Sequence, residues 1–138
     1  VTYDQKTLAD ELIRDEGLKL TPYRCTAGKL TIGVGRNLDD RGLSRDEVMY
    51  LFKNDIAICE KDLDVLFPKW RNLSDARQRV LLNMAFNLGR ERFAGFKKFW
   101  GNLALGDYKA AAQEMMSSAW SNQVGQRAVR LRDMMERG

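Results

Sequence analysis

The apolar positions change their spacing along the chain, and each change marks an element. Leu8, Leu12 and Ile13 share one face at helical steps, and Gly17 follows as a stop, which predicts a first helix. Thr7 is its expected N-cap, with Asp10 three residues on, and Glu16 stands in its last turn. In the stretch from Leu18 to Gly35 the period drops to two. Leu30, Ile32 and Val34 alternate with Thr31, Gly33 and Gly35, so this run predicts a strand with one branched, apolar face. The other face carries one hydroxyl and two bare glycines, which lets a bulky group approach closely. Thr26-Ala27-Gly28 reads as the hairpin loop ahead of it. The polar stretch Arg36 to Gly42 reads as a loop with room for another short strand.

The helical period then returns. Ser44 and Glu47 form a capping box, the clearest helix start in the chain. Val48, Leu51, Phe52, Ile56, Cys59, Leu63 and Leu66 recur at steps of three and four. They predict one amphipathic helix of about 22 residues, roughly 33 Å long at 1.5 Å per residue, ended by Phe67-Pro68. Ser74 is the expected cap of the next helix. There Val80, Leu81, Leu82, Met84, Ala85, Phe86 and Leu88 are apolar nearly all round, so it is expected to be central and buried. Asn83 and Asn87 interrupt it on one face, and Gly89 stops it. A helix up to about Leu105 follows, with Gly106-Asp107 as stop and fresh cap. Tyr108 to Ala119 reads as one helix, with Ala111, Met115 and Trp120 facing inward. The long helix is expected to join a small N-terminal lobe bearing the hairpin to a helical C-terminal lobe.

Composition narrows the chemistry. The 138 residues suit one domain with a real core, and no apolar run approaches membrane-spanning length. The chain begins at Val1 rather than Met, which leaves open an export segment or signal anchor ahead of it. The net charge of +4 suits an anionic partner surface such as a bacterial envelope or membrane, touched weakly. The basic residues are scattered and not interleaved with aromatics, so nucleic acid is not expected as a partner. With no histidine, Ser-His-Asp and Cys-His catalysis and every His-containing zinc site are excluded. Two cysteines cannot make a four-cysteine site, so neither metal nor cofactor is expected. Cys59 lies on the apolar stripe of the long helix, away from the hairpin, so it and Cys25 are expected to stay reduced.

Glu16, Cys25 and Thr31 remain as candidate chemistry. A carboxyl at a helix C-terminus sits near the negative end of the helix dipole, which favours the proton-carrying form that a general acid needs. A cysteine in a turn beside Arg24 and near Lys29 has the surroundings for a thiolate base or nucleophile. Thr31 can hold a water. The competing reading makes Glu16 an exposed helix-end acid, Cys25 a small packed hydrophobe and Thr31 an ordinary strand residue.

These residues carry a resemblance. Asp15-Glu16-Gly17-Leu18, then Tyr23, then Thr31-Ile32-Gly33-Val34-Gly35 resemble the catalytic segment of the bacteriophage T4-type lysozymes, the phage muramidases or endolysins. Glu16 falls on the family's general acid and Thr31 on the threonine near the attacking water. Cys25 falls where the family most often has aspartate. Asn83 to Gly89 resembles a second family segment, in which the position of Asn87 contacts sugar. Phe93-Ala94-Gly95-Phe96 matches the family's turn into the next helix. Trp120-Ser121-Asn122-Gln123 with Arg127-Ala128 resembles a third segment, whose arginine pairs with the catalytic glutamate. The resemblance runs from about Leu8 to Met135.

It implies a mostly helical α+β, two-lobed lysozyme-like fold in one catalytic domain. The N-lobe would run over about 14–55, the connecting helix over about 45–66, and the C-lobe over about 67–138 together with the N-terminal helix. It implies a monomeric peptidoglycan muramidase with catalytic Glu16, Cys25 and Thr31 and substrate-binding Phe86, Asn87 and Arg127. Such a protein is made in the host bacterial cytoplasm and acts on the wall in the periplasm, released by a holin or a signal anchor. The family often has histidine at Arg36, paired with an acid at the position of Asp55, so an Arg36–Asp55 pair is expected. A non-catalytic glycan-binding module and a lytic transglycosylase are the alternatives.

Overall fold

The computed structural model describes residues 2–138. Its order is α1 (Gln5–Glu16), β1 (Lys19–Arg24), β2 (Leu30–Gly33), β3 (Arg36–Asn37), α2 (Arg45–Leu66), a 3₁₀ turn (Pro68–Asn72), α3 (Asp75–Leu88), α4 (Arg90–Ala94), α5 (Lys97–Ala104), α6 (Tyr108–Met116), α7 (Ala119–Val124) and α8 (Gln126–Arg137). This is the mostly helical α+β pattern expected. Contacts group the chain into two compact units, one up to Tyr50 and one from Leu51 to Gly138. The first holds α1, the sheet and the first residues of α2.

In the first unit, α1 starts earlier than its apolar pattern suggests. Asp4, not Thr7, is the N-cap, and its carboxylate accepts the Thr7 backbone N–H at 3.1 Å. The acid outcompetes the hydroxyl because a charged acceptor makes the stronger cap bond. Gly17 ends the helix at φ 79°, a conformation that favours glycine. The sheet is antiparallel in the order β1-β2-β3, with Tyr23 opposite Thr31 and Thr31 opposite Asn37. The β1–β2 register is irregular between Lys19 and Tyr23, where Pro22 has no N–H to give to a ladder. Thr31 is buried, while Leu30 and Ile32 are half-buried and Val34 is exposed. The glycine-bearing face is thus the one on which the central strand has its covered residue.

At the start of α2 the capping box closes as expected. Glu47 N–H donates to Ser44 Oγ at 3.2 Å, and Ser44 N–H donates to Glu47 Oε1 at 2.8 Å. The same carboxylate takes Arg36 in a two-pronged pair, Nη1 to Oε1 at 2.8 Å and Nη2 to Oε2 at 2.7 Å. The expected Arg36–Asp55 pair is therefore replaced by Arg36–Glu47. Glu47 is already oriented by its capping bonds, which lowers the cost of adding the guanidinium.

The second unit holds the apolar core. Its buried members run from Cys59 to Met135 and include Leu63, Trp70, Met84, Phe93, Phe99 and Trp120. Burying each such side chain is worth about 1.5–3 kcal/mol. Ser74 caps α3 as expected, accepting Arg77 N–H at 3.2 Å. The Phe93-Ala94-Gly95-Phe96 stretch is the turn from α4 into α5, with the Phe93 and Trp100 rings 4.5 Å apart. Ala111, Met115 and Trp120 are buried as expected. The helix predicted from Tyr108 to Ala119 stops at Met116. Ser118 Oγ bonds back to Met115 O at 2.7 Å and Ser121 Oγ to Met116 O at 2.8 Å, so hydroxyls take carbonyls that a continuing helix would use. Phe86 departs from the all-buried reading of α3 and is 47% exposed.

Candidate active site

Three candidate residues lie in the first unit. Glu16 is the last residue of α1 and Gly35 stands between β2 and β3. A Cβ placed on Gly35 would lie 2.9 Å from Glu16 Oε2 and 3.2 Å from its carboxyl carbon. The bare backbone of Gly35, at φ 66°, is thus what admits the carboxyl. The sequence signal was present in the glycines that alternate with Ile32 and Val34, whose bare face lets a bulky group approach.

Cys25 opens the hairpin turn. Its N–H donates to Lys29 O at 2.9 Å, and Gly28 N–H donates to Cys25 O at 2.8 Å. Backbone N–H groups of Lys29 and Ala27 face the sulfur and hold the thiol below the usual cysteine range. The Thr31 hydroxyl adds to this, but its one proton goes to Lys29 O at 2.9 Å, so the two backbone donors carry most of the effect. The charged neighbours act elsewhere than expected. Arg24 reaches Asp39 at 3.4 Å and Gly28 O at 3.2 Å, and Lys29 reaches Asp40 at 3.2 Å. These pairs tie the turn to the loop after β3, as does Asp39 Oδ2 accepting Leu30 N–H at 2.7 Å. The turn's peptide groups, and not its cations, set the thiol's acidity.

Cys59 has the opposite setting. It is buried on α2, and desolvation pushes its thiol up, with Asp62 and Asp55 adding in the same direction. Both cysteines are free thiols.

The candidate binding residues lie in the second unit. Asn87 Oδ1 accepts the Trp120 indole N–H at 2.8 Å. Arg127 Nε donates to Asn83 Oδ1 at 2.9 Å and its Nη2 to Asn83 O at 3.3 Å. Phe86 packs edge-on against Phe52 at 5.8 Å between ring centres. Phe86, Asn83 and Arg127 line an apolar groove with Phe52, Leu82 and Met134. Sequence reasoning picked Asn87 and Arg127 but not the partners that orient them, Trp120 and Asn83. The four-residue spacing of the two asparagines and the matching segments that hold Asn83 and Trp120 were the signals available, and neither pairs the residues.

Known proteins share this arrangement of sequence. The chain is 27% identical to probable T4-type lysozyme 1 of Dictyostelium discoideum over 96% of its own length and 95% of that protein's. It is 31% identical to an endolysin of Acyrthosiphon pisum secondary endosymbiont phage 1, over 78% of this chain and 73% of the endolysin. It is 28% identical to the pre-baseplate central spike protein of Enterobacteria phage T4 over 91% of this chain, which spans only 27% of the spike protein. The phage lysozyme family profile matches residues 14–137, so this chain belongs to the phage lysozyme family.

Proposed function

We propose that this protein is a peptidoglycan muramidase of the endolysin kind. It hydrolyses the β-1,4 bond between N-acetylmuramic acid and N-acetylglucosamine, and host cell lysis follows. The observation that carries this reading is a helix-end carboxyl seated on a bare glycine, in the same unit as a thiol made acidic by backbone donors. Glu16 gives its proton to the glycosidic oxygen as the bond to the anomeric carbon breaks and an oxocarbenium-like centre forms. A water held by Thr31 attacks that carbon, and the Cys25 thiolate takes the water's proton. The hydroxyl stays on the muramic acid and the proton from Glu16 on the departing glucosamine, with inversion at the anomeric carbon. Phe86, Asn87 and Arg127 hold the glycan.

No helix among the described residues is long and apolar enough to cross a membrane. The protein works as a monomer on the wall in the periplasm, and its basic surface favours weak contact with the anionic envelope.

Product analysis by mass spectrometry on purified peptidoglycan in ¹⁸O-water tests the reading, with Glu16→Gln and Cys25→Ser as controls. Reducing muramic ends carrying ¹⁸O, lost in both variants, are expected. Anhydro ends would make the protein a lytic transglycosylase. Intact glycan that co-sediments with the parent chain would make it a binding module.

A further inference from the structure

One peptide group of the hairpin is held at both of its ends. The carbonyl of Lys29 accepts the Cys25 N–H at 2.9 Å and the Thr31 hydroxyl at 2.9 Å. The N–H at the other end of that group, on Leu30, donates to Asp39 Oδ2 at 2.7 Å. A carboxylate that accepts an N–H polarises the peptide group and strengthens the bonds its carbonyl accepts. The loop after β3 is itself braced. Asn37 Oδ1 accepts the Asp40 N–H at 2.9 Å, Asn37 Nδ2 donates to Asp40 Oδ2 at 3.1 Å, and Leu38 N–H donates to Leu30 O at 2.7 Å. The charged side chains at the turn are Arg24, Lys29, Asp39 and Asp40, and they pair among themselves, Arg24 with Asp39 at 3.4 Å and Lys29 with Asp40 at 3.2 Å.

We infer that Asp39 is a positioning residue for Cys25 and Thr31, acting through the Lys29–Leu30 peptide group. Its bearing on catalysis rests on the reading of Cys25 as the base and Thr31 as the holder of the water. With the Lys29 carbonyl fixed, the Thr31 hydroxyl keeps its one proton there. Its oxygen is left with lone pairs, which accept a hydrogen from the attacking water. With the backbone fixed on the far side of Lys29, the N–H groups of Lys29 and Ala27 stay aimed at the sulfur. A turn of this one peptide group would take the carbonyl from both partners at once. The Asp39 carboxylate also keeps Arg24 to itself, so no guanidinium pairs with the thiolate and lowers its basicity.

The test compares Asp39→Asn with Asp39→Leu in the full chain. Both remove the same charge and keep the same branched shape, but only the asparagine has an oxygen to accept the Leu30 N–H. Iodoacetamide labelling of Cys25 is followed across pH by peptide mapping, and wall-turbidity loss is followed over the same range. Asp39→Leu should show its labelling midpoint at higher pH than Asp39→Asn. At a pH below both midpoints it should label Cys25 more slowly on the order of tenfold, because less of the thiol is ionised. Its lytic activity should move to higher pH by the same interval. Where Asp39→Leu does not fold, as read by circular dichroism, Asp39→Ala removes the acceptor with the smallest side chain and takes its place. Equal labelling midpoints with and without the acceptor would overturn the role of Asp39, whatever the lytic activity. Midpoints that separate while the two lytic profiles coincide would uphold Asp39 as the residue that positions the thiol and remove Cys25 as the base.

Discussion

Gly35 meets the carboxyl of Glu16 so closely that even a methyl group would displace it. The Cβ of an alanine there would lie 2.9 Å from Oε2. The backbone at Gly35 also has φ 66°, where a non-glycine residue costs about 1–2 kcal/mol. Gly35→Ala should therefore destabilise the protein by about that amount and reduce lytic activity by more than the stability loss accounts for. Gly28→Ala is the control, since it carries a similar strain at φ 77° in open space. Chemical denaturation together with wall-turbidity assays separates the two effects. Equal activity losses in both variants would refute a special role for the Gly35 contact.

The two thiols should separate by reactivity. Backbone N–H groups favour the thiolate of Cys25, while burial disfavours that of Cys59. Iodoacetamide should label Cys25 first, with a rate that rises with pH to a midpoint below the usual cysteine value. Lytic activity should rise over the same interval, because the folded protein holds the thiolate above that midpoint and the neutral thiol below it. Peptide mapping by mass spectrometry reads the site of labelling. Full activity after complete labelling of Cys25 would exclude it from the chemistry.

Glu47 should be a pH-sensitive support for the first unit. Its carboxyl is held down to about 2 by Arg36 and by the Ser44 capping bonds, against an ordinary value of 4.5. A depressed carboxyl contributes stability above its unfolded value and loses it as pH falls through the folded one. At neutral pH a stability gap should favour the parent over Glu47→Gln, because the Arg36 pair and the capping bonds need the ionised carboxylate. It should shrink between about pH 4.5 and about 2. Denaturant melts at stepped pH measure it, and a gap that grows on acidification would contradict the assignment.

Arg77 should anchor the C-terminal helix. Its Nε donates to Met135 O at 2.7 Å and its Nη2 to Glu136 O at 3.0 Å, while the guanidinium lies 3.5 Å from the Tyr108 ring centre. Arg77→Ala should cost about 2–3 kcal/mol, from charge-assisted bonds and the lost stacking. Arg77→Lys should recover little, because an ammonium cannot span two carbonyls and a ring in one plane. Urea unfolding checks both variants.

Much of this was legible in the sequence wherever the signal is local. Ser44 with Glu47, Ser74, Gly17 and Gly89 act within a few residues of themselves, so the helix ends they predict are the ones found. The helix over Arg45–Leu66 follows from its own period and from Pro68. What escaped is selection among rivals. Asp4 and Thr7 competed for one cap, and Glu47 and Asp55 competed for one arginine. The break after Met116 depends on where serine hydroxyls turn, which periodicity does not register. Glu16, Cys25 and Thr31 were nominated as candidates from their motif, and the fold puts all three in the first unit. The Trp120–Asn87 and Arg127–Asn83 bonds join residues 33 and 44 positions apart, and no local pattern encodes them.

The turn that opens at Cys25 draws its donors from peptide groups, which every residue type supplies. Substitutions at Ala27 or Lys29 that keep the turn leave those donors in place. A carboxylate at position 25 would meet the same two N–H groups that now meet a sulfur. Thiol and carboxylate are thus interchangeable anions for this turn, and Cys25→Asp exchanges one for the other without calling for a rebuilt hairpin.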